Sequence, residues 1–366
     1  MQMSAANDKE VFIIGAGSTG LSAALFLHEQ GFKPALTEKR SEPSKITKAL
    51  GVNPNTLKLL ETTEVTKRFL ENGWKAKCFN FWCNDKLIYK NDLTKLKHKY
   101  PFMLVQPQSE TEGIIEEALA QRGISVQRGM NLENITEHNN IVRLTFKNET
   151  GLTSQKDVEG IVVGADGSKS KVRQCMDIPF KGWEHKEEFR LYDVELETPV
   201  SHTEGHYRFY KEGGTMMLHI RDGVWRIGGN VKDVFSYLPK GTKVGKISWE
   251  TIFTVHEKVA EKFRAGNVYL LGDAGHIHSP AGAKGMNLCI EDSYIFSRLL
   301  KENRVTEYDR VRHSKIKKQV GIIGQLTDKI GGHNFVGNTI RSNMDKLSFF
   351  FPLVMPSLRK FLMGLN

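Results

Sequence analysis

The first thirty residues constrain this chain most. Val11-Phe12-Ile13-Ile14 is a continuous apolar run, the pattern of a strand buried on both faces of a parallel sheet. It leads directly into Gly15-Ala16-Gly17-Ser18-Thr19-Gly20, then into Leu21-Ser22-Ala23-Ala24-Leu25-Phe26-Leu27, which is rich in helix formers. Strand, G-x-G-x-x-G and helix in that order suit a dinucleotide. Gly15 permits the tight turn, Gly17 lets backbone approach a pyrophosphate, and Gly20 lets helix and strand pack closely. A phosphate placed at Ser18 and Thr19 would meet the unpaired N–H groups and positive end of the helix. A second run, Pro34-Ala35-Leu36-Thr37, ends in Glu38-Lys39, and Glu38 stands where an acid would hold ribose hydroxyls.

With 366 residues, the chain is long enough for one large domain or two modest ones. Hydrophobic residues at 39% and charged residues at 26% describe an ordinary globular protein and argue against disorder. The polar start MQMSAANDKE carries no apolar stretch of a secretory signal, and no run approaches the roughly 20 apolar residues of a membrane span. Cys78, Cys83, Cys175 and Cys289 are too few and too dispersed for a disulfide framework, so a reducing cytoplasm is expected. Net charge is +10, and residues 301–366, with twelve Lys/Arg against five Asp/Glu, hold +7 of it. Such a basic segment either solvates helix faces or meets an anionic partner. Nucleic acid is not among the expected partners.

Two later segments extend the nucleotide signal. Ile161-Val162-Val163-Gly164-Ala165-Asp166-Gly167 reads as a buried strand with an Asp-Gly turn, followed by Ser170 and Arg173. Val268-Tyr269-Leu270-Leu271-Gly272-Asp273 is another strand ending in Gly-Asp, and Ser279-Pro280-Ala281-Gly282 leads from it to Gly285-Met286-Asn287 and a helix. In order and spacing the three segments resemble the class A flavoprotein monooxygenases, the para-hydroxybenzoate hydroxylase group, from about residue 10 to about residue 312. The resemblance implies FAD. It places Asp273 on the ribityl chain, Asp166 at a turn linked to both FAD and NAD(P)H, and Gln108 at an FAD-contacting position. Lys48 stands where relatives usually carry Arg, and Pro280, Gly285, Met286 and Asn287 lie in the loop and helix start beside the flavin. A helix beginning near Gly285 would aim its positive end at the flavin pyrimidine ring, where charge gathers on reduction. Where the family usually reads Gly-Gly-Gln-Gly, this chain reads Gly282-Ala283-Lys284-Gly285. Lys284 is expected to point outward as a surface lysine, and Cys289 to be a buried, inert thiol.

The fold expected is α/β: a Rossmann-like (GR2-type) FAD-binding domain with an inserted, mostly-β substrate domain and C-terminal helices. The FAD-binding domain is assigned to residues 8–73, 98–176 and 262–332, the sheet to 74–97 and 177–261, and amphipathic helices to 333–366. Short strand-like runs support the insertion, among them Cys78–Trp82, Leu87–Tyr89, His206–Tyr210, Thr215–Ile220 and Val224–Ile227. Substrate is expected between that sheet and the flavin, with Tyr207, Met217, His219 and Trp225 as pocket candidates. The five-residue offset of Cys78 and Cys83 puts them on opposite faces of a strand and argues against a redox pair. The twelve histidines show no metal-ligand spacing, so no metal is expected.

The resemblance implies an NAD(P)H-consuming monooxygenase that uses O2 to hydroxylate an aromatic or polycyclic substrate through a C4a-hydroperoxyflavin. A single G-x-G-x-x-G agrees with NAD(P)H having no domain of its own. No catalytic side chain is nameable, since the cofactor carries the chemistry. The alternatives are a flavin-dependent reductase or dehydrogenase acting on a lipid or quinone, a halogenase, and a non-catalytic FAD-binding protein. The halogenase signature W-x-W-x-I-P is incomplete at Gly223-Val224-Trp225-Arg226-Ile227-Gly228. Near the C-terminus, Leu358, Phe361, Leu362 and Leu365 form one apolar stripe, and Ile340, Met344, Leu347 and Phe351 another. Pro356 is expected in the first turn of the last helix. Either both stripes pack onto the protein, or the basic, apolar segment rests on an anionic membrane. Oligomeric state is not legible.

Overall fold

The computed structural model describes residues 10–45, 47–280, 282–332 and 335–365; Ala281, within the glycine loop, lies outside them. The apolar run forms the strand Glu10–Ile14 inside a six-stranded sheet, between parallel neighbours Pro34–Thr37 and Gly160–Gly164. Val126–Gln127 and Val268–Leu270 extend the sheet in parallel on either side, and Arg264–Ala265 adds an antiparallel edge. Successive side chains of a strand point to opposite faces, and both faces here are covered. Ile13 packs toward Gly20 of the helix Ser18–Glu29. Phe12 meets Phe146, ring centres 6.0 Å apart, on a three-stranded antiparallel sheet of residues 131–138, 141–147 and 153–158. Helices Gln108–Gln121 and Gly285–Lys301 pack beside Ser18–Glu29.

The second large element is an eight-stranded sheet. Its order is His276–Ile277, Lys243–Ala260, Phe180–Glu197, Val224–Gly229, Gly213–Arg221, Glu204–Tyr210, Cys78–Cys83 and Lys86–Asp92. All pairs are antiparallel except Cys78–Cys83 with Glu204–Tyr210. Alternation sorts its side chains. Met216, Leu218 and Ile220 face one side, with Leu50, Met103 and Val105, while Met217, Trp225 and Ile227 face the other, with Val194 and Val231. The strand Lys243–Ala260 has no counterpart in the sequence reading, because KVGKISWETIFTVHEKVA is too polar and too exposed to show as an apolar run.

After the helix Tyr308–Leu326 come short helices Phe335–Ser342 and Met344–Leu347, then Phe351–Leu362. Pro352 occupies the first turn of the last, and Pro356 lies inside it, contrary to expectation. The helix starts earlier than the proline suggested, and Pro356 is exposed, so the carbonyl it cannot bond has solvent beside it. Among the described residues no helix is long and apolar enough to cross a membrane.

Candidate functional site

The three glycines of the first motif are held for different reasons. Gly15 has φ +105°, and a Cβ there would lie 2.4 Å from the Ala165 carbonyl oxygen; at Gly20 it would lie 1.8 Å from the Gly15 oxygen. Gly17 has an ordinary φ of −82°, and the nearest atom to its missing Cβ is Glu112 Oε1 at 3.7 Å. The backbone therefore requires Gly15 and Gly20, whereas the space at Gly17 opens onto the first turn of the helix. Ser18 N donates to Glu112 Oε1 at 2.9 Å, and Gln108 Nε2 donates to the same oxygen at 2.8 Å. Burial pushes the Glu112 carboxyl up. Gln108 Oε1 accepts Ala49 N at 3.2 Å and so ties the exposed Lys48 and its neighbours to this turn.

Glu38 Oε2 accepts Ala16 N at 2.9 Å, and Oε1 accepts Arg40 N and Nε, each at 3.1 Å. Burial would raise its pKa, but these N–H groups and the guanidinium outweigh burial and hold it below the usual range. Lys39 beside it is exposed. Thr19 abuts Gly272, whose own Cβ would lie 2.4 Å from Thr19 Oγ1, so the Gly-Asp turn stands against the first motif. Asp273 on that turn presents its side chain to solvent, yet the protein mass around it raises its carboxyl; its near contact is Cys289 Sγ at 3.4 Å. Cys289 is buried and its thiol is pushed well up, which leaves it protonated. Asp166 turns one oxygen to the start of Lys171–Cys175, accepting Lys171 N at 2.6 Å and Val172 N at 3.1 Å. Its Oδ1 is buried without a partner among the described residues.

Gly285 opens the helix Gly285–Lys301 with no atom within 4 Å of its missing Cβ, and Met286 behind it is core. Pro280 is exposed ahead of it. All four hydrogen bonds of the Asn287 side chain are spent on protein: Oδ1 accepts Asn53 N (2.9 Å) and Thr56 Oγ1 (2.7 Å), and Nδ2 donates to Gly51 O (2.8 Å) and Ala283 O (2.7 Å). Asn287 thus pins the glycine loop to the segment Gly51–Thr56. Lys284 does not point outward as expected. It is 2% exposed because the helix Phe351–Leu362 lies over the loop; Nζ donates to Phe361 O at 2.6 Å and stands 4.0 Å from that ring's centre. Burial lowers it to about 8.

Several anchors of this site were not singled out in the sequence. Asp292 is buried in the helix Gly285–Lys301 and accepts Gly272 N (3.0 Å), His276 Nε2 (2.7 Å) and Arg312 Nε (2.7 Å). Burial opposes its ionisation, but Arg312 and His276 prevail and hold it at about 2. Arg312, one of the basic residues expected on solvated faces, is fully buried, and Arg341 is buried beneath the Tyr210 and Gly332 carbonyls. Arg226 joins Asp193 (2.7 Å at both oxygens) and donates to Thr47 O and Lys48 O, each at 2.8 Å. Glu257 accepts Ser279 N at 3.0 Å. The available signal was an ionisable residue inside an otherwise apolar element, Asp292 among Leu288, Cys289 and Ile290, and Arg226 between Trp225 and Ile227. Among the described residues no three His, Cys, Asp or Glu gather as metal ligands do.

Between the glycine loop and the large sheet lies a packed apolar cluster of the buried residues Leu50, Phe79, Met103, Val105, Leu218, Ile220 and Met363, with Ala283 at its edge. Of the four pocket candidates, only Tyr207 borders it. Met217 and Trp225 pack on the opposite face, since strand alternation gives this cluster Met216, Leu218 and Val224 instead. His219 stacks on His202 there, 4.5 Å between ring centres, against Trp225.

The FAD binding domain family model matches residues 8–225 and 236–305. An uncharacterized aromatic compound monooxygenase of Bacillus subtilis (strain 168) is 30% identical over 78% of this chain and 60% of its own length. The pentachlorophenol 4-monooxygenase of Sphingobium chlorophenolicum is 26% identical over 78% and 57%. The chain thus spans about 60% of the length of the curated relatives it matches. Among solved structures, p-nitrophenol 4-monooxygenase from Pseudomonas putida DLL-E4 superposes with a TM-score of 0.84 over 97% of both chains at 20% identity, a likeness of fold. The glycine turn, the Gly-Asp turn and the sheet that faces them all lie within the matched residues, and the chain therefore belongs to the FAD binding domain family of the class A flavoprotein monooxygenases.

Proposed function

We propose that this chain is an NAD(P)H-consuming monooxygenase that hydroxylates an aromatic or polycyclic ring. The observation that carries this reading is the apolar cluster between the glycine loop and the large sheet, packed against Ala283 just before the helix Gly285–Lys301 begins. The residues suit FAD. The open first turn at Gly17 would take the pyrophosphate, Glu38 the ribose, Asp273 the ribityl chain, and the Gly285 turn the ring system. When bound, FAD supplies the redox chemistry, so that ring–H + O2 + NAD(P)H + H⁺ gives ring–OH + H2O + NAD(P)⁺. The chain's own part would be to hold the two rings face to face and to exclude water, a task that the apolar residues of this cluster suit. Purified protein should be yellow, release FAD and oxidise NAD(P)H faster in the presence of a phenol or polycyclic ring, with one oxygen atom from labelled O2 found in the product. NAD(P)H oxidation with no oxygen in any product would point to a reductase instead.

The described residues also carry an exposed apolar patch on and before the last helix: Phe349 (80% exposed), Phe350, Leu353 (76%) and Val354. Exposed Lys346 and Lys360 flank it, and Asp345 is the one acid of residues 336–365. This composition suits a peripheral contact with an anionic lipid surface. The test is sedimentation with anionic vesicles. Phe349→Ser combined with Leu353→Ser should abolish it while leaving Tm unchanged, because neither side chain is buried; vesicle binding that survives the double substitution would overturn the contact.

A further inference from the structure

The apolar cluster between the glycine loop and the large sheet is completed by the residues at the end of, and just after, the helix Phe351–Leu362. Met363 is buried (3% exposed) in the same cluster as Leu50, Met103, Val105, Leu218 and Ile220, and Leu362 and Leu365 pack at its edge. Four contacts hold this segment. Lys284 Nζ donates to the Phe361 carbonyl and lies over the Phe361 ring. Leu362 Cδ2 sits only 2.3 Å from where a Cβ on Gly282 would be. Arg359 Nη1 donates to the Asp92 carbonyl at 2.6 Å, at the edge strand of the large sheet. Gly364 takes φ +74° against Asn53 and Asn55, a left-handed residue closing the helix.

These contacts differ in kind from those of the rest of the cluster. Met103–Val105 and Gly213–Arg221 are strands whose backbones are locked into sheets. The segment after Phe351 has no sheet partner among the described residues and is held by the side-chain and carbonyl contacts just named. Segments held in this way belong to the low end of the range of local opening, whereas moving the strands approaches global unfolding.

We propose that Leu362 and Met363 are the specificity-determining residues of the ring-binding site: they fill the place between the glycine loop and the large sheet that an uncharged ring would need, and Lys284 is the positioning residue that keeps them there. The inference rests on the hydroxylase reading above. Met363, unbranched and adaptable, can make room for a single ring by changing rotamer. A fused bicyclic ring needs the segment to withdraw.

The experiment uses the full chain with FAD bound and two probes, phenol and 1-naphthol, with Kd read from the change each causes in flavin absorbance. Met363→Ala and, separately, the less buried Leu362→Ala should tighten 1-naphthol binding about tenfold or more, the scale of a one- or two-methylene change in an apolar pocket, with a smaller change for phenol. Lys284→Met should reproduce the 1-naphthol gain and Lys284→Arg, which keeps a cationic donor, should restore the original preference, a pattern that a general loss of structure would not give. Equal 1-naphthol affinity in the wild type and both alanine variants, with phenol still bound, overturns the proposal and leaves the hydroxylase reading standing. If neither ring binds any of these proteins while FAD is in place, both fall.

Discussion

Gly17 differs from Gly15 and Gly20 in having no close neighbour that a side chain would strike. Gly17→Val should therefore fold with a Tm close to that of the wild type, while a branched side chain stands where a phosphate must approach. The expected result is a rise in FAD Kd of roughly a hundredfold, about 2.7 kcal/mol, read by flavin fluorescence on reconstitution; full FAD occupancy would mean the phosphate lies elsewhere. Asp273 makes the opposite kind of test. Its surroundings raise its pKa, so its contribution to stability is present below the unfolded carboxylate pKa and is lost as pH rises through the folded one. At neutral pH the ionised group is a cost to the apoprotein. Asp273→Ala should thus weaken FAD binding without lowering the Tm of the apoprotein at pH 7. A lower Tm with unchanged FAD affinity would make it a structural turn residue.

The helix Gly285–Lys301 shows how one element serves both fold and site. Its first turn follows directly on the glycine loop, and two turns on, Asp292 binds Gly272 N, His276 and Arg312, so the Gly-Asp turn is bolted to the helix behind it. Asp292→Asn would leave Arg312 buried with only Glu291 as an acidic partner, and breaking such a pair costs about 3–5 kcal/mol. The pH dependence follows from the direction of the shift. Asp292 is held at about 2, below its ordinary 3.8, so its stabilisation is present above roughly pH 4 and is lost as pH falls through about 2, some 2 kcal/mol in all. Denaturant titrations between pH 5 and pH 2 should show that loss in the wild type and a shallower one in Asp292→Asn. Identical slopes would remove Asp292 from the account.

On the scale of the whole molecule, the question is what holds the large sheet against the nucleotide-binding sheet and its helices. Arg226 does part of this by a fork: one side grips Asp193 within the large sheet, and two N–H groups reach the Thr47 and Lys48 carbonyls across the boundary. A lysine cannot reproduce that planar, five-donor geometry. Arg226→Lys should keep the charge opposite Asp193 yet release the segment carrying Lys48. The expected outcome is an FAD Kd raised about tenfold, on the order of 1.4 kcal/mol, and faster proteolysis within residues 40–50. Unchanged cleavage and affinity would show that the boundary is held without it.

How much of this was legible depended on how local each signal was. The strand–glycine–helix unit, Glu38 and the Gly-Asp turn are written in short stretches, because a tight turn, a close approach and a buried strand each restrict a few adjacent residue types. From those the nucleotide-binding region and its family could be read. The three-dimensional arrangement decided what depends on distant residues. Lys284 looks like a surface lysine in its own neighbourhood and is buried only because Phe361 covers it. Asn287 reaches Gly51, Asn53 and Thr56, partners that nothing in its own neighbourhood of the chain announces. Met217, His219 and Trp225 were candidates by residue type alone; the pleat of the sheet puts Met217 and Trp225 on the face away from Leu218 and Ile220, since a strand's facing is set by its partners and not by its composition. Local chemistry determined that this chain is built to hold a dinucleotide; only the packing of its far end against the glycine loop decided what shares the apolar cluster with Leu218 and Ile220.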